Sequence, residues 1–162
     1  MSKLWQKDKD SLASVTKFTT GLDQEMDLLL APYDVLGSLA HITMLESIGL
    51  LSKEELPVLS KGLKEIYAQI RKGDFTIEDG VEDIHSQVEM LLTQRLGDAG
   101  KKIHSGRSRN DQVLLDIKLY LRHELKEVTT SVKSLFDLLI AKSEEHKNKL
   151  LPGYTHLQLA MP

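Results

Sequence analysis

The run from His104 to Gln112 places anion-binding side chains directly before a long segment with apolar residues at helical spacing. It reads His-Ser-Gly-Arg-Ser-Arg-Asn-Asp-Gln. A glycine turn that opens a helix leaves backbone N–H groups unpaired and adds the positive end of the helix dipole. Guanidinium groups present paired donors that match a carboxylate or a phosphate. The run therefore predicts a site for a small anion, with Arg107, Ser108, Arg109 and Asn110 as candidate donors.

Two shorter motifs carry histidines that could bring proton transfer to this site. Asp83 and His85 open a predicted helix upstream, and Thr155 and His156 follow a Pro-Gly-Tyr turn downstream. Histidine is the side chain best suited to proton transfer near neutral pH. Each motif also has a structural interpretation, since Asp83 suits a helix N-cap and a lone loop histidine is more often structural. Asp-x-His also occurs in metal sites, but two ligands without a third nearby make a poor metal site.

Composition limits the classes of protein that fit. The chain has 162 residues, a formal net charge of −3, 41% apolar and 28% charged residues, and no cysteine. These values indicate one globular domain without disulfides or thiolate metal sites. The negative charge offers no basic field for nucleic acid or an acidic membrane. The N-terminus lacks a secretory apolar core, and no segment is expected to be long enough to cross a bilayer. We therefore predict a soluble intracellular protein that binds neither nucleic acid nor membrane.

Apolar spacing predicts helices along most of the chain. Residues 1–20 are polar and are expected to form an irregular arm. Three helical patterns follow, over about residues 22–48 with an interruption at Pro32, over 52–73 and over 82–97. Ser52 and Glu55 form a capping-box pattern at the start of the second, and Gly73 is expected to end it.

The longest predicted helix runs from about Arg109 to Lys147 without proline or glycine. At about 1.5 Å per residue it would extend about 50–55 Å, well beyond one small globule. Its apolar residues occupy more than one face, so it needs neighbours on several sides. We therefore expect oligomerisation, a further partner segment, or both.

Together, the motifs resemble those of the argininosuccinate lyase branch of the fumarase/aspartase superfamily, which includes the lens δ-crystallins. The three segments that carry the resemblance are Glu82–His85, His104–Gln112 and Pro152–Gln158, and it extends from about Phe18 to Pro162. The arginine-containing run is specific to this branch. The resemblance implies an all-α fold: an N-terminal arm (1–20), an N-terminal helical domain (21–103) and the start of a central helical bundle (104–162).

The resemblance also implies a reaction, an anti β-elimination that splits argininosuccinate into arginine and fumarate. A base removes the proton beside a carboxylate, and an acid assists departure of the guanidino nitrogen. This is a step of arginine biosynthesis in the cytoplasm, carried out by a homotetramer without metal or organic cofactor.

The resemblance also assigns site residues, position by position along this sequence. Arg109 and Asn110, with Ser108 and Arg107 alongside, would bind the carboxylates of the succinyl part of the substrate. Thr155 would bind a carboxylate, and His156 would transfer a proton or hold the charge network. The remaining pocket residues implied by the resemblance are Asp27, Asp83 and His85.

Two departures from the family pattern affect this interpretation. The family's Trp-Gly-Gly-Arg-Phe is Leu4-Trp5-Gln6-Lys7-Asp8 here, and a serine expected near residues 23–34 has no clear counterpart, which affects contacts to the arginine end of the substrate. The family's mobile loop, whose serine is the expected base, lies beyond residue 162. Because each family active site combines segments of three subunits, we expect an N-terminal portion that is inactive alone.

Three alternatives remain at this stage. A related fumarate-releasing lyase of the adenylosuccinate type would use the same elimination, although the Arg-Ser-Arg-Asn context argues against it. A non-catalytic, crystallin-like structural protein could retain the motifs. A nucleic-acid-binding helical module would use Lys101, Lys102, Arg107 and Arg109, but the acidic balance of the chain disfavours it.

Overall fold

The computed structural model describes Phe18 and residues 21–161. The predicted irregular arm (1–20), apart from Phe18, and the departure at residues 4–8 lie outside the described residues. The elements are α1 (Asp23–Ser47), α2 (Glu55–Lys72), α3 (Ile84–Leu96), α4 (Asp98–Lys101), a 3₁₀ turn (Lys102–His104), α5 (Arg109–His146), β1 (Gly153–Thr155) and β2 (Gln158–Met161). The all-α class is confirmed, with one small hairpin added.

Contacts divide the chain into two compact units, Met1–Leu121 and Arg122–Pro162. The core of the first unit is formed mainly by α1, α2 and α3. Each contributes fully buried aliphatic side chains at helical spacing: Val35, Ile42, Leu45, Leu59, Leu63, Ile66, Ile84, Val88 and Leu92. The division at residue 103 that the family resemblance implies stays a prediction.

The predicted interruption of α1 at Pro32 is wrong. Pro32 lies inside one continuous helix of 25 residues. An interior proline removes one backbone hydrogen bond and costs about 3 kcal/mol in an isolated helix. Here Ala31 and Val35, on either side of it, are buried in the core. The burial of the helix face that carries them offsets the local penalty.

Helix α1 also overturns the expectation that no segment is long enough to cross a bilayer. By length and composition alone, α1 is long and apolar enough to cross a membrane, with a mean hydropathy of 1.4 over its most apolar window. This is weak evidence for a membrane span, because core helices of soluble proteins pass the same test. In this structure α1 supplies Val35, Ile42 and Leu45 to the core of the first unit.

The predicted ends of α2 are confirmed in detail. The Ser52 N–H donates to Glu55 Oε2 at 2.9 Å, and the Glu55 N–H donates to Ser52 Oγ at 3.2 Å, which is a complete capping box. Gly73 ends the helix with a φ of 79°, a conformation that glycine adopts without a steric penalty.

The short helix α4 was not predicted, and it brings two backbones into direct contact. A Cβ built on Gly100 would lie 2.5 Å from both the carbonyl carbon of Leu92 and the nitrogen of Thr93. Both atoms belong to the backbone of α3. Gly100 is therefore present because a larger residue would force α4 away from α3.

The second unit contains the end of α5 and a hairpin. Strands β1 and β2 pair antiparallel, with Tyr154 opposite Leu159 and Thr155 opposite Gln158. The two turn residues, His156 and Leu157, have φ values of 48° and 62°. Two-residue hairpin turns of type I′ require positive φ at both positions and are usually made by Asn-Gly. The His-Leu sequence gives no such signal, which is why the hairpin was not predicted.

Candidate functional site

The arginine run forms the start of α5, as predicted, and Ser108 caps it. The Ser108 N–H donates to Asp111 Oδ2 at 3.0 Å, and the Asp111 N–H donates to Ser108 Oγ at 3.4 Å. The Ser108 hydroxyl also donates to Asp111 Oδ2 at 3.1 Å. Gly106 makes the preceding turn with a φ of 71°. Because Asp111 already engages the Ser108 N–H and hydroxyl, a bound anion depends chiefly on the side chains of Arg109 and Asn110.

The guanidinium of Arg109 is held by the N-terminus of α3. Its Nη1 donates to the carboxylate of Asp83 and to Ser86 Oγ, the latter at 3.1 Å. Asp83 is also the predicted N-cap, since its Oδ1 accepts the Ser86 N–H at 2.8 Å. Arg109 keeps about a third of its side chain exposed, so it remains accessible to a ligand.

The environment of Asp83 keeps its carboxyl ionised. Burial by itself would raise its pKa. The Ser86 N–H bond and the positive charge of Arg109 outweigh burial and hold the pKa of Asp83 below its usual value. An ionised Asp83 preserves the charge-assisted bond that orients Arg109.

Asp27 reaches the same helix terminus from α1. Its Oδ2 accepts the N–H of Ile84 at 3.2 Å, so Asp27 and Asp83 both cap α3. Burial raises the pKa of Asp27, and this carboxyl interacts electrostatically with Asp83 and His85. The structure therefore brings Asp27, Asp83, His85 and Arg109 into one charged neighbourhood in the first unit.

Arg107 lies against α1, unlike its neighbour Arg109. Its Nη2 donates to Ser38 Oγ at 3.0 Å, and Ser38 is fully buried. Burial lowers the pKa of Arg107, while the charges of Asp34 and Asp116 oppose that shift. These contacts hold Arg107 against α1, and its predicted contact with substrate stays a prediction.

A buried polar cluster around His85 was missed by the sequence analysis. His85 Nδ1 lies 2.8 Å from Asp34 Oδ1 and 3.7 Å from Asp116 Oδ2. Gln112 Nε2 donates to Asp34 Oδ1 at 3.0 Å. None of these four residues is more than 5% exposed. Apolar spacing gave no signal for this cluster, because on α5 it marks Val113 and Ile117, each one residue after the buried Gln112 and Asp116.

Burial and charge set the ionisation of this cluster. Burial raises the pKa of Asp116 to about 7, and the nearby charge of Asp34 adds to that rise. For His85, burial acts to lower the pKa, but the Asp34 hydrogen bond and the charges of Asp34, Asp83 and Asp116 outweigh it. The pKa of His85 is therefore raised. The hydrogen bond to Asp34 thus favours the protonated form of the His85 ring.

The donor set of the cluster would also suit a metal ion. Ligand atoms of Asp34, His85 and Asp116 all lie within 4.8 Å of one another. However, Asp34 Oδ1 is shared with His85 and Gln112, and a cation would have to displace those bonds. The guanidinium of Arg107, whose charge interacts with Asp34 and Asp116, would also repel a cation. The arrangement therefore fits a hydrogen-bonded cluster better than a metal site.

The other predicted site residues are exposed. Asn110 lies in the first turn of α5, and Thr155 and His156 lie at the end of the hairpin in the second unit. His41, interpreted from sequence as structural, has its Nε2 2.8 Å from the carbonyl oxygen of Ser105. It supports the turn that precedes Arg107.

Comparison with known proteins identifies the class. A profile of the protein family described as Lyase matches residues 8–162, and the chain belongs to that family. Among individual proteins, the chain is 64% identical to the argininosuccinate lyase of Bacteroides fragilis over 160 residues, 99% of this chain and 36% of that relative. The corresponding enzyme of Bacteroides thetaiotaomicron is 63% identical over 160 residues, with the same coverage.

More distant relatives carry the same name. The argininosuccinate lyase of Methylococcus capsulatus is 45% identical over 162 residues, 99% of this chain and 34% of the relative. The chain thus spans about a third of the length of the curated relatives it matches. The resemblance inferred from the three motifs is confirmed at the level of the family.

Proposed function

We propose that the protein to which this chain belongs is an argininosuccinate lyase, a carbon–nitrogen lyase that releases arginine and fumarate. The observation that carries this proposal is the 64% identity to argininosuccinate lyase over 99% of the chain. The geometry supports it, because Arg109 stands at the start of α5 with its guanidinium oriented by Asp83 and Ser86.

In the proposed reaction, a base removes the proton beside a carboxylate of the succinyl group. The electron pair left on carbon forms the new double bond as the C–N bond breaks, and an acid protonates the departing guanidino nitrogen. Negative charge grows on the carboxylate during proton removal. A guanidinium already oriented toward that carboxylate stabilises the transition state without further reorganisation. We assign this role to Arg109, with Asn110 as a neutral donor beside it.

The remaining roles follow from the motifs. Asp27, Asp83 and His85 would line the pocket around Arg109. Thr155 would bind a carboxylate, and His156 would transfer a proton or hold the charge network. Thr155 and His156 are both exposed at the end of the hairpin, which supports a contact of both residues with a ligand.

We further propose that the protein works in arginine biosynthesis in the cytoplasm, without metal or organic cofactor, as a homotetramer. Exposed apolar surface on α5 supports the assembly. Twelve large apolar side chains between Leu114 and Ile140 are each at least 38% exposed. Apolar surface on this scale typically marks a protein–protein contact.

A chimera tests the proposed activity. The matching 160 residues of the Bacteroides fragilis enzyme would be replaced by this chain, and fumarate release from argininosuccinate would be followed by absorbance. We expect an active chimera and no activity from this chain by itself. The family's proposed base lies on a later segment, and misplacing one reacting group by about 1 Å already costs on the order of a hundredfold in rate.

Other outcomes of this experiment would contradict the proposal. A chimera that assembles by light scattering yet releases no fumarate would favour the crystallin-like alternative. Preference for adenylosuccinate would favour the related lyase. Fumarate release by this chain alone would place the base within residues 1–162, with His156 the first residue to test.

The nucleic-acid alternative gives a separate prediction. We expect no binding of this chain to labelled DNA or RNA at physiological salt, measured by fluorescence anisotropy. Lys101 pairs with Asp98, Lys102 with Glu55 and Arg109 with Asp83, which leaves little cationic surface for phosphates. Tight binding that weakens steeply with salt would show that this basic run contacts phosphates and would contradict the lyase assignment of the run.

A further inference from the structure

The proposed roles leave three buried polar residues unexplained. Asp34 on α1, and Gln112 and Asp116 on α5, surround His85 on α3. Asp34 Oδ2, Gln112 Oε1 and both carboxylate oxygens of Asp116 have no hydrogen-bond partner within the described part of the chain. Buried carboxylates whose oxygens lack hydrogen-bond partners destabilise a fold relative to apolar residues of similar size. Their presence therefore requires a reason other than stability.

The cluster fixes the orientation and tautomer of His85. The atom nearest Nδ1 is Asp34 Oδ1, which also accepts a hydrogen bond from Gln112, so the arrangement favours a proton on Nδ1. Gln112 donates to the same oxygen of Asp34, so this carboxylate bridges α3 and α5. The charged groups acting on His85 are Asp34 and Asp27 from α1, Asp83 at the start of α3 and Asp116 from α5.

The same cluster lies next to the Arg109–Asp83 pair along both helices. Asp83 precedes His85 by two residues, and Gln112 follows Arg109 by three, almost one helical turn. The bridge through Asp34 therefore ties the first turn of α3 to the first turn of α5. These are the turns that hold the two members of the ion pair.

We propose that Asp34, Gln112 and Asp116 are positioning residues, which hold His85 and the first turns of α3 and α5 so that Asp83 presents Arg109 to the substrate carboxylate. This inference rests on the proposed lyase function for its last step. The contacts that position His85 are seen in the structure and do not depend on the proposed activity. The positioning of His85 and its effect on catalysis can therefore be tested separately.

The first test measures His85 directly in this 162-residue chain. The six histidines would be labelled with ¹⁵N, the His85 ring signal assigned by comparison with His85→Gln, and its titration followed by NMR. We expect a protonated Nδ1 and a pKa above the ordinary value for histidine. Asp34→Asn removes the nearest negative charge and should lower the His85 pKa by about one pH unit or more. Asp98→Asn, at an exposed carboxylate paired with Lys101, is the matched control and should leave it unchanged.

A second variant covers the case in which Asp34→Asn does not fold. Asp116→Asn removes a buried charge at constant shape, and burial raises the pKa of Asp116, so this variant should be at least as stable as the wild type at neutral pH. It should nevertheless lower the His85 pKa. An unchanged His85 titration in the variants that fold would overturn the positioning role, whatever the protein's activity.

The second test couples the cluster to catalysis in the chimera. Asp116→Asn should lower kcat for fumarate release by at least about tenfold, because the Arg109 guanidinium is misplaced. Asp98→Asn should not change it. Normal kcat together with a shifted His85 titration would overturn the link to Arg109. If the unsubstituted chimera is inactive, the proposed function fails, and the NMR titration still decides whether the cluster positions His85.

Discussion

Arg109→Lys in the chimera is expected to lower kcat/KM for argininosuccinate by about a hundredfold or more. Loss of one preorganised donor to a developing anion commonly costs a factor of 10² to 10³ in rate. Lysine keeps the positive charge but loses the planar fork that can bond Asp83, Ser86 and a ligand carboxylate together. Steady-state absorbance kinetics would measure the effect.

Arg95→Lys provides the matched control for this prediction. Arg95 is an exposed arginine of α3 that pairs with Glu65 at 3.5 Å, and it takes no part in the proposed site. Its substitution should leave kcat/KM unchanged. A kcat/KM for Arg109→Lys within a few-fold of the control would show that Arg109 does not bind the substrate, even if the chimera remains an active lyase.

Gly100→Ala is expected to lower the free energy of unfolding of this chain by about 2–3 kcal/mol, the upper part of the range for overpacking. The added methyl group would lie 2.5 Å from backbone atoms of Leu92 and Thr93, which cannot rotate away. For a unit of this size, the melting temperature should fall by roughly 5–15 °C. Thermal unfolding followed by circular dichroism would measure the change.

Gly62→Ala separates close backbone contact from glycine replacement in general. A Cβ on Gly62 would lie 2.8 Å from Cδ2 of Leu92, the end of a flexible side chain. That atom can move aside, and alanine is favoured over glycine in a helix by about 1 kcal/mol. We therefore expect Gly62→Ala to stay within about 1 kcal/mol of the wild type. Equal effects of the two substitutions would show that α4 and α3 are not in direct backbone contact.

Features determined by neighbouring residues were predictable from the sequence. Ser52 and Glu55, three positions apart, cap α2, and Asp83 caps α3 because its carboxylate reaches the N–H of Ser86. The start of α5 at Arg109 is likewise determined by neighbouring residues. These contacts span only a few residues, so residue type and spacing suffice to predict them.

Features that depend on distant parts of the chain were not predictable in this way. Pro32 continues a helix because tertiary burial offsets its local penalty, and Asp34 contacts His85 across 51 positions. Without the packing of α1 against α3 and α5, Asp34, Gln112 and Asp116 look like ordinary surface residues. The same packing separates the two arginines, because it turns Arg107 toward Ser38 and leaves Arg109 with Asp83.

The hairpin turn has a consequence for the order of folding. Two-stranded hairpins are at best marginally stable in water, and a left-handed conformation at a residue other than glycine adds about 1–2 kcal/mol. The β1–β2 hairpin has two such residues in sequence, His156 and Leu157, and Leu157 is 99% exposed. Such a segment is too weak to nucleate folding. Structure is therefore expected to form first in the helical core of the first unit, and His156 should reach its final geometry late.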